Sequence, residues 1–180
     1  MDLVRSVFVT ALLTGVVRCG YAQETPPDCW KDEVIAHVLL QFETYGPDSS
    51  EHEYFGFIYR LDGQVESAVI RSRKCQASGD CTLDTSLAAK RIPKHAKVLG
   101  EWHTHARNGS TMLSELDVRG AHNNLGITCY RAYFANPAGR IYSWDPRQTS
   151  VPTAMHSLRL LGDYRQKADF NDVLVASHGD

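Results

Sequence analysis

The sequence predicts an α/β (α+β) fold, a mixed β-sheet flanked by helices. Three patterns carry that expectation. Apolar residues recur at helical spacing from Asp32 to Tyr45, with one wet face left over. Two aromatic and β-branched runs, 54–59 and 65–70, are joined by Leu61-Asp62-Gly63 as in a β-hairpin. After residue 97, strand-like and helix-like segments alternate.

Taken in order, the first helix is built on Val34, Ile35, Val38, Leu39, Phe42 and Tyr45 and stops at Gly46-Pro47. A polar loop precedes the hairpin. Residues 71–83 form a second, longer polar loop. A short helix is expected at 84–91, ending before Pro93. Residues 97–105 read as a strand, and 114–124 as a helix with Ser114 as N-cap. Two further strands, 127–135 and 140–144, are joined by the turn Asn136-Pro137-Ala138-Gly139. A final amphipathic helix is expected within 154–165. No internal repeat or low-complexity segment interrupts this order.

The N-terminus has a separate character. Residues 6–17 are an apolar run behind Arg5, too short to span a bilayer and suited to a signal-peptide core. Gly20-Tyr21-Ala22 puts small residues where a signal peptidase reads. Residues 1–22 are therefore expected to be a cleaved signal peptide, and 23–180 a single exported domain, periplasmic or secreted, with no stable membrane span after cleavage. A buried N-terminal helix and a lipoprotein site at Cys19 are the rival readings. Arg18 disfavours the second.

The formal charge of −2 leaves no basic footprint for nucleic acid. Cleavage would leave Cys29, Cys75, Cys81 and Cys129, an even set that reads as disulfides in an exported chain. Cys75 and Cys81 flank a short turn-rich loop and make the local pair, which leaves Cys29 for Cys129. A cysteine zinc site is the rival, but no C-x-x-C spacing supports it.

The segment from Gly100 to Asp117, GEWHTHARNGSTMLSELD, carries the chemistry. Alternate strand residues share a face, so His103 and His105 point the same way, roughly 6.5–7 Å apart at Cα. That span lets both imidazoles reach one ion. A catalytic zinc takes three protein ligands and keeps one position open. Asp117, in the first turn of the following helix, is the candidate third ligand, where a carboxylate also suits the helix dipole. Each signal has an ordinary explanation alone: solvent-facing histidines, or a capped helix start. Their order, with only a short loop between, points to a metal site.

Hydrolysis at such a site also needs a base. Glu53 opens the hairpin strand, and Gly56 after it permits close approach of a neighbour. Glu101 competes for the role. It shares a face with His103 but sits beside it, which suits support of a ligand better. His37, His52, His95, His122, His156 and His178 have no spacing that recommends them as ligands.

Glu53-Tyr54-Phe55-Gly56-Phe57-Ile58, then His103-Thr104-His105, then Ser114-x-x-Asp117, resembles the JAMM/MPN+ metallopeptidases, and most closely the JAMM-like domains of bacterial secreted and toxin-associated proteins. Residues 135–146 (ANPAGRIYSWDP) look like that family's late strand pair with its turn. The resemblance spans about 34–145 and implies a JAMM/cytidine-deaminase-like three-layer architecture. It also implies Zn2+ held by His103, His105 and Asp117, with Glu53 handling the proton of the attacking water and Ser114 steadying the oxyanion. The family's proline after the second histidine is Ala106 here, and the loop to Ser114 is one residue longer. The implied function is an exported zinc-dependent hydrolase of the metallopeptidase or isopeptidase type. Its partner would be a peptide or protein substrate, with peptidoglycan crosslinks among the candidates. A non-catalytic JAMM-fold binding or assembly module of a secretion or envelope system is the alternative. A phosphoesterase barrel of the PHP type begins with the same His-x-His but needs a longer chain. A cupin would place a glutamate soon after the second histidine.

Overall fold

The computed structural model describes residues 32–147 and 158–166. Their elements, in chain order, are α1 (Asp32–Tyr45), β1 (Tyr54–Leu61), β2 (Gln64–Arg71), α2 (Thr85–Ala89), β3 (Lys97–Thr104), α3 (Glu115–His122), β4 (Arg131–Ala135), β5 (Arg140–Trp144) and β6 (Arg159–Asp163). The strands form one six-stranded mixed sheet in the order β2-β1-β3-β4-β5-β6. Every neighbouring pair is antiparallel except β3 and β4. Only that pair needs a crossover, and α3 supplies it. Among the described residues, no helix is long and apolar enough to cross a membrane.

Helices cover both faces of the sheet. On one face, α1 lays Val34, Ile35, Val38, Leu39 and Phe42 against Ile58, Leu99, Trp102, Tyr133 and Ile141. These are the apolar positions that gave the helix its period, and full burial stabilises each by about 1.5–3 kcal/mol over exposure. On the other face, Val118 and Ala121 of α3 pack with Phe134, Tyr142 and Trp144. Ala88 of α2 packs on Phe55 and Ile70 on that same side.

The hairpin between β1 and β2 turns at Asp62 and Gly63, both at positive φ. Asp84 caps α2 by accepting from the Ser86 amide. The 127–135 segment begins its ladder only at Arg131, because residues 127–130 close a turn in which the Tyr130 amide donates to the Ile127 carbonyl.

The expected C-terminal helix over 154–165 is not formed where it can be seen. Residues 159–163 are the edge strand β6, paired with β5; residues 148–157 lie outside the described set. The pairing skips Leu161 between Ile141 and Tyr142. That bulge breaks the two-residue alternation. Leu161 and Tyr164, three residues apart, therefore share the α1-side cluster, while Leu158 lies in the α3-side cluster as plain alternation requires. A spacing of three between buried residues mimics a helix when a bulge produces it.

Trp102 is fully buried on β3, opposite Gly56 of β1. A Cβ on Gly56 would lie 2.5 Å from the indole nitrogen and 2.8 Å from Cε2. Gly56 therefore makes room for an indole on the α1 face, not for a backbone on the side of Glu53. The indole N–H donates to the Ser67 hydroxyl at 3.1 Å and stacks with Tyr45, so it has no free direction in which to retreat. Gly56→Ala is expected to destabilise the fold by about 1–3 kcal/mol, as overpacking does. Gly120→Ala, where a Cβ meets nothing within 4 Å on α3, is expected to be neutral or stabilising. Urea unfolding of the two variants reads the contrast. Equal midpoints would mean the indole has room to spare.

Candidate metal centre

The antiparallel register of β1 and β3 pairs Phe55 with His103 and Phe57 with Glu101. Continued outward, it sets Glu53 beside His105. Glu101, His103 and His105 thus form one row on the α3 face, with Phe57, Phe55 and Glu53 as a second row alongside. Phe134 of β4 flanks the first row, its ring 6.1 Å from that of His103 and 5.5 Å from that of His105.

Asp117 reaches this row from the first turn of α3. Ser114 caps the helix in both directions: its hydroxyl accepts from the Asp117 amide at 3.2 Å, and its own amide donates to Asp117 Oδ2 at 2.7 Å. This reciprocal box fixes the carboxylate. Asp117 Oδ1 lies 3.7 Å from His103 Nε2, Oδ2 lies 3.7 Å from His105 Nε2, and the two Nε2 atoms are 3.0 Å apart. Tetrahedral zinc with bonds of about 2.0–2.2 Å holds ligand atoms roughly 3.3–3.6 Å apart. Two imidazoles and a carboxylate on one point, with both histidines buried, fit zinc in number and type, and their separations lie on either side of that range. Among the described residues this is the one such cluster of three.

The charge states suit the same role. Burial lowers His103 to about 4, so its ring is neutral and free to ligate. Burial also opposes a charge on His105, but Asp117, the Ser110 carbonyl and Glu53 outweigh it and raise the ring above its ordinary value. Burial works against Asp117 too, yet His103, His105 and the Ser114 hydrogen bond hold its carboxyl well below the usual range. The Ser110 carbonyl lies 2.5 Å from His105 Nδ1. A proton held there leaves Nε2 as the metal-facing atom, the usual outer support of a ligating histidine.

Glu53 accepts a hydrogen bond of 3.5 Å from the Ala106 amide. Desolvation raises its carboxyl, and His105 pulls the other way. His52 turns aside to the Ser72 carbonyl at 3.2 Å. The Ser114 hydroxyl, used as an acceptor by α3, keeps its own proton free to donate.

The site opens into a cleft of ≈ 680 Å³ between the 71–83 loop and α3. The loop is closed by the Cys75–Cys81 disulfide. Gly79, at φ +89°, packs so tightly on Asn108 that an added Cβ would meet its carbonyl oxygen at 2.2 Å. Asn108 in turn donates to the Ala77 carbonyl at 3.0 Å. One wall of the cleft is thereby bolted to the segment that carries the Ser110 support. Cys129 is buried and disulfide-bonded; its expected partner, Cys29, lies outside the described residues.

Sequence patterns singled out Glu101 but missed its partner Tyr130 and the approach of Asp80. Glu101 is buried and accepts from the Tyr130 hydroxyl, which receives the Asn124 amide at 2.9 Å. Asp80 reaches the cleft from the disulfide loop. Neither Tyr130 nor Asp80 stands at a spacing that marks it; only the crossover and the loop closure bring them in. Compared with protein-family models and with curated protein sequences, the chain matches none.

Purified full chain is expected to carry about one zinc, lost in both His103→Ala and Asp117→Ala, because two remaining ligands cannot hold the ion. Elemental analysis with full occupancy in either variant would remove that residue from the ligand set. Zinc affinity should also depend on pH with one proton. His105, raised above 6.5 without metal, must shed a proton to ligate, whereas His103 at about 4 is already neutral. Affinity therefore falls about tenfold per pH unit below the raised His105 value and levels off above it. A slope of two protons near neutrality would show that His103 is protonated there as well.

Proposed function

We propose that the chain is an exported zinc-dependent hydrolase of the metallopeptidase or isopeptidase type, cleaving a peptide or isopeptide bond. The observation that carries the reading is the Glu53 carboxylate standing beside the His103–His105–Asp117 cluster at the mouth of a cleft. The motif resemblance to the JAMM/MPN+ metallopeptidases, with its three-layer architecture, supports the same conclusion. The Cys75–Cys81 bridge supports an oxidising setting, periplasmic or secreted.

His103, His105 and Asp117 hold the ion. Bound zinc supplies Lewis acidity, lowering the pKa of water to about 7 and polarising a carbonyl. Glu53 accepts the proton of the attacking water and returns it to the leaving amine. Desolvation raises its carboxyl, which favours the half of that exchange in which Glu53 holds the proton. Ser114 donates its hydroxyl proton to the developing oxyanion. Phe55 and Phe57 make an apolar floor that keeps water from the rest of the substrate. Peptide or protein chains are the substrate class, and peptidoglycan crosslinks are the envelope candidate.

Glu53→Gln is the discriminating variant. Glutamine keeps the shape but cannot carry the proton. Zinc content should stay at the wild-type level while hydrolysis of crosslinked muropeptides or of a mixed peptide library falls by about 10²-fold or more. Hydrolysis that survives in Glu53→Gln would move the base elsewhere. Wild-type silence on every substrate, with partner binding unaffected by zinc removal, would favour an assembly module instead.

A further inference from the structure

The cleft carries a second binding feature beside the metal cluster. Four carboxylates line it, Glu53, Asp80, Glu101 and Asp117, and no lysine or arginine does. Asp80 is exposed on the disulfide loop, near the Glu53 end of the row. Glu101 lies at the other end and is only 4% exposed. A carboxylate that deep is costly unless it is paired.

The surroundings of Glu101 leave the pairing incomplete. Asn124 donates to the Tyr130 oxygen, so the phenol proton is directed to Glu101 Oε2. Among the described residues this is the only hydrogen bond that Glu101 receives, and Oε1 has none. Phe57 stands directly across from Glu101 on β1, with Phe55 next to it, the two rings edge-to-face at 5.0 Å. An apolar wall leads to a deeply seated glutamate whose second oxygen opens on the cleft. That shape matches an aliphatic stem carrying a positive charge.

We propose that Glu101, with Phe55 and Phe57, forms a subsite for a primary ammonium on an aliphatic stem, such as a lysine or diamino-acid side chain of the substrate. The ammonium donates to Oε1, and the methylenes lie on the two rings. The inference deepens the hydrolase reading, because it names what the cleft selects one position away from the metal cluster.

The test is binding, which does not require turnover. Acetyl-Ala-Lys-Ala amide and its norleucine counterpart are titrated into the zinc-loaded full chain by calorimetry. The lysine peptide is expected to bind about tenfold tighter or better. That preference should vanish in Glu101→Gln and persist in Asp80→Asn. Equal affinity for the two peptides overturns the proposal, and so does a preference lost equally in both variants, which would reveal a diffuse acidic field. Carbodiimide coupling of the lysine peptide to wild-type protein reads the contact without any substitution. A crosslink mapped to Glu101 supports the subsite even if Glu101→Gln fails to fold; crosslinks confined to exposed acids overturn it. A lysine preference without hydrolysis would sink only the hydrolase reading, and hydrolysis without a lysine preference only the subsite.

Discussion

The seating of Trp102 over Gly56 sets everything that follows. A fully buried indole on β3 can face β1 only where β1 offers no side chain, and Gly56 is that place. The contact therefore picks one register from several that hydrogen bonding alone would allow. A slip of one residue would turn the whole strand over. With the register set, Glu101, His103 and His105 face α3, and Glu53 comes to rest beside His105. The chemistry of one face is positioned by packing on the other.

A bulge refines that arrangement. The β1–β3 ladder skips Leu99, between the pairs Ile58–Gly100 and Tyr59–Val98. Leu99 consequently joins the α1-side core rather than the row of Glu101 and His103. Val98, on the far side of the bulge, turns back to the α3-side cluster. The extra residue lets one strand serve an apolar layer and a polar site over a length of eight residues.

Much of this was legible in the sequence, and the reasons differ by element. The helix over 32–45, the hairpin, and the capped helix after Ser114 declare themselves through local periodicity and turn chemistry. The histidine pair was legible because strand alternation is a short-range rule. Asp117 was legible because a capping box fixes a side chain three residues from its cap. The edge strand at 159–163 was not, since a bulge put Leu161 and Tyr164, three residues apart, on one face and blurred the strand alternation. Gly56 was noticed but its purpose was misread, because the residue it accommodates is 46 positions away, on the other side of the sheet. The Tyr130–Glu101 bond and the approach of Asp80 depend on a crossover and a disulfide-closed loop, which no local pattern encodes.

The capping box at Ser114 and Asp117 has an evolutionary consequence. Asp117 answers to two masters: one oxygen secures the start of a helix, and both oxygens face the histidines. His103 and His105 cap no helix. A lineage that abandoned metal chemistry on this scaffold would be free to replace the histidines, yet selection for a sound helix start would keep the aspartate. In drifting descendants of this chain, Ser-x-x-Asp would thus persist as a fossil after the His-x-His that gave it meaning had gone.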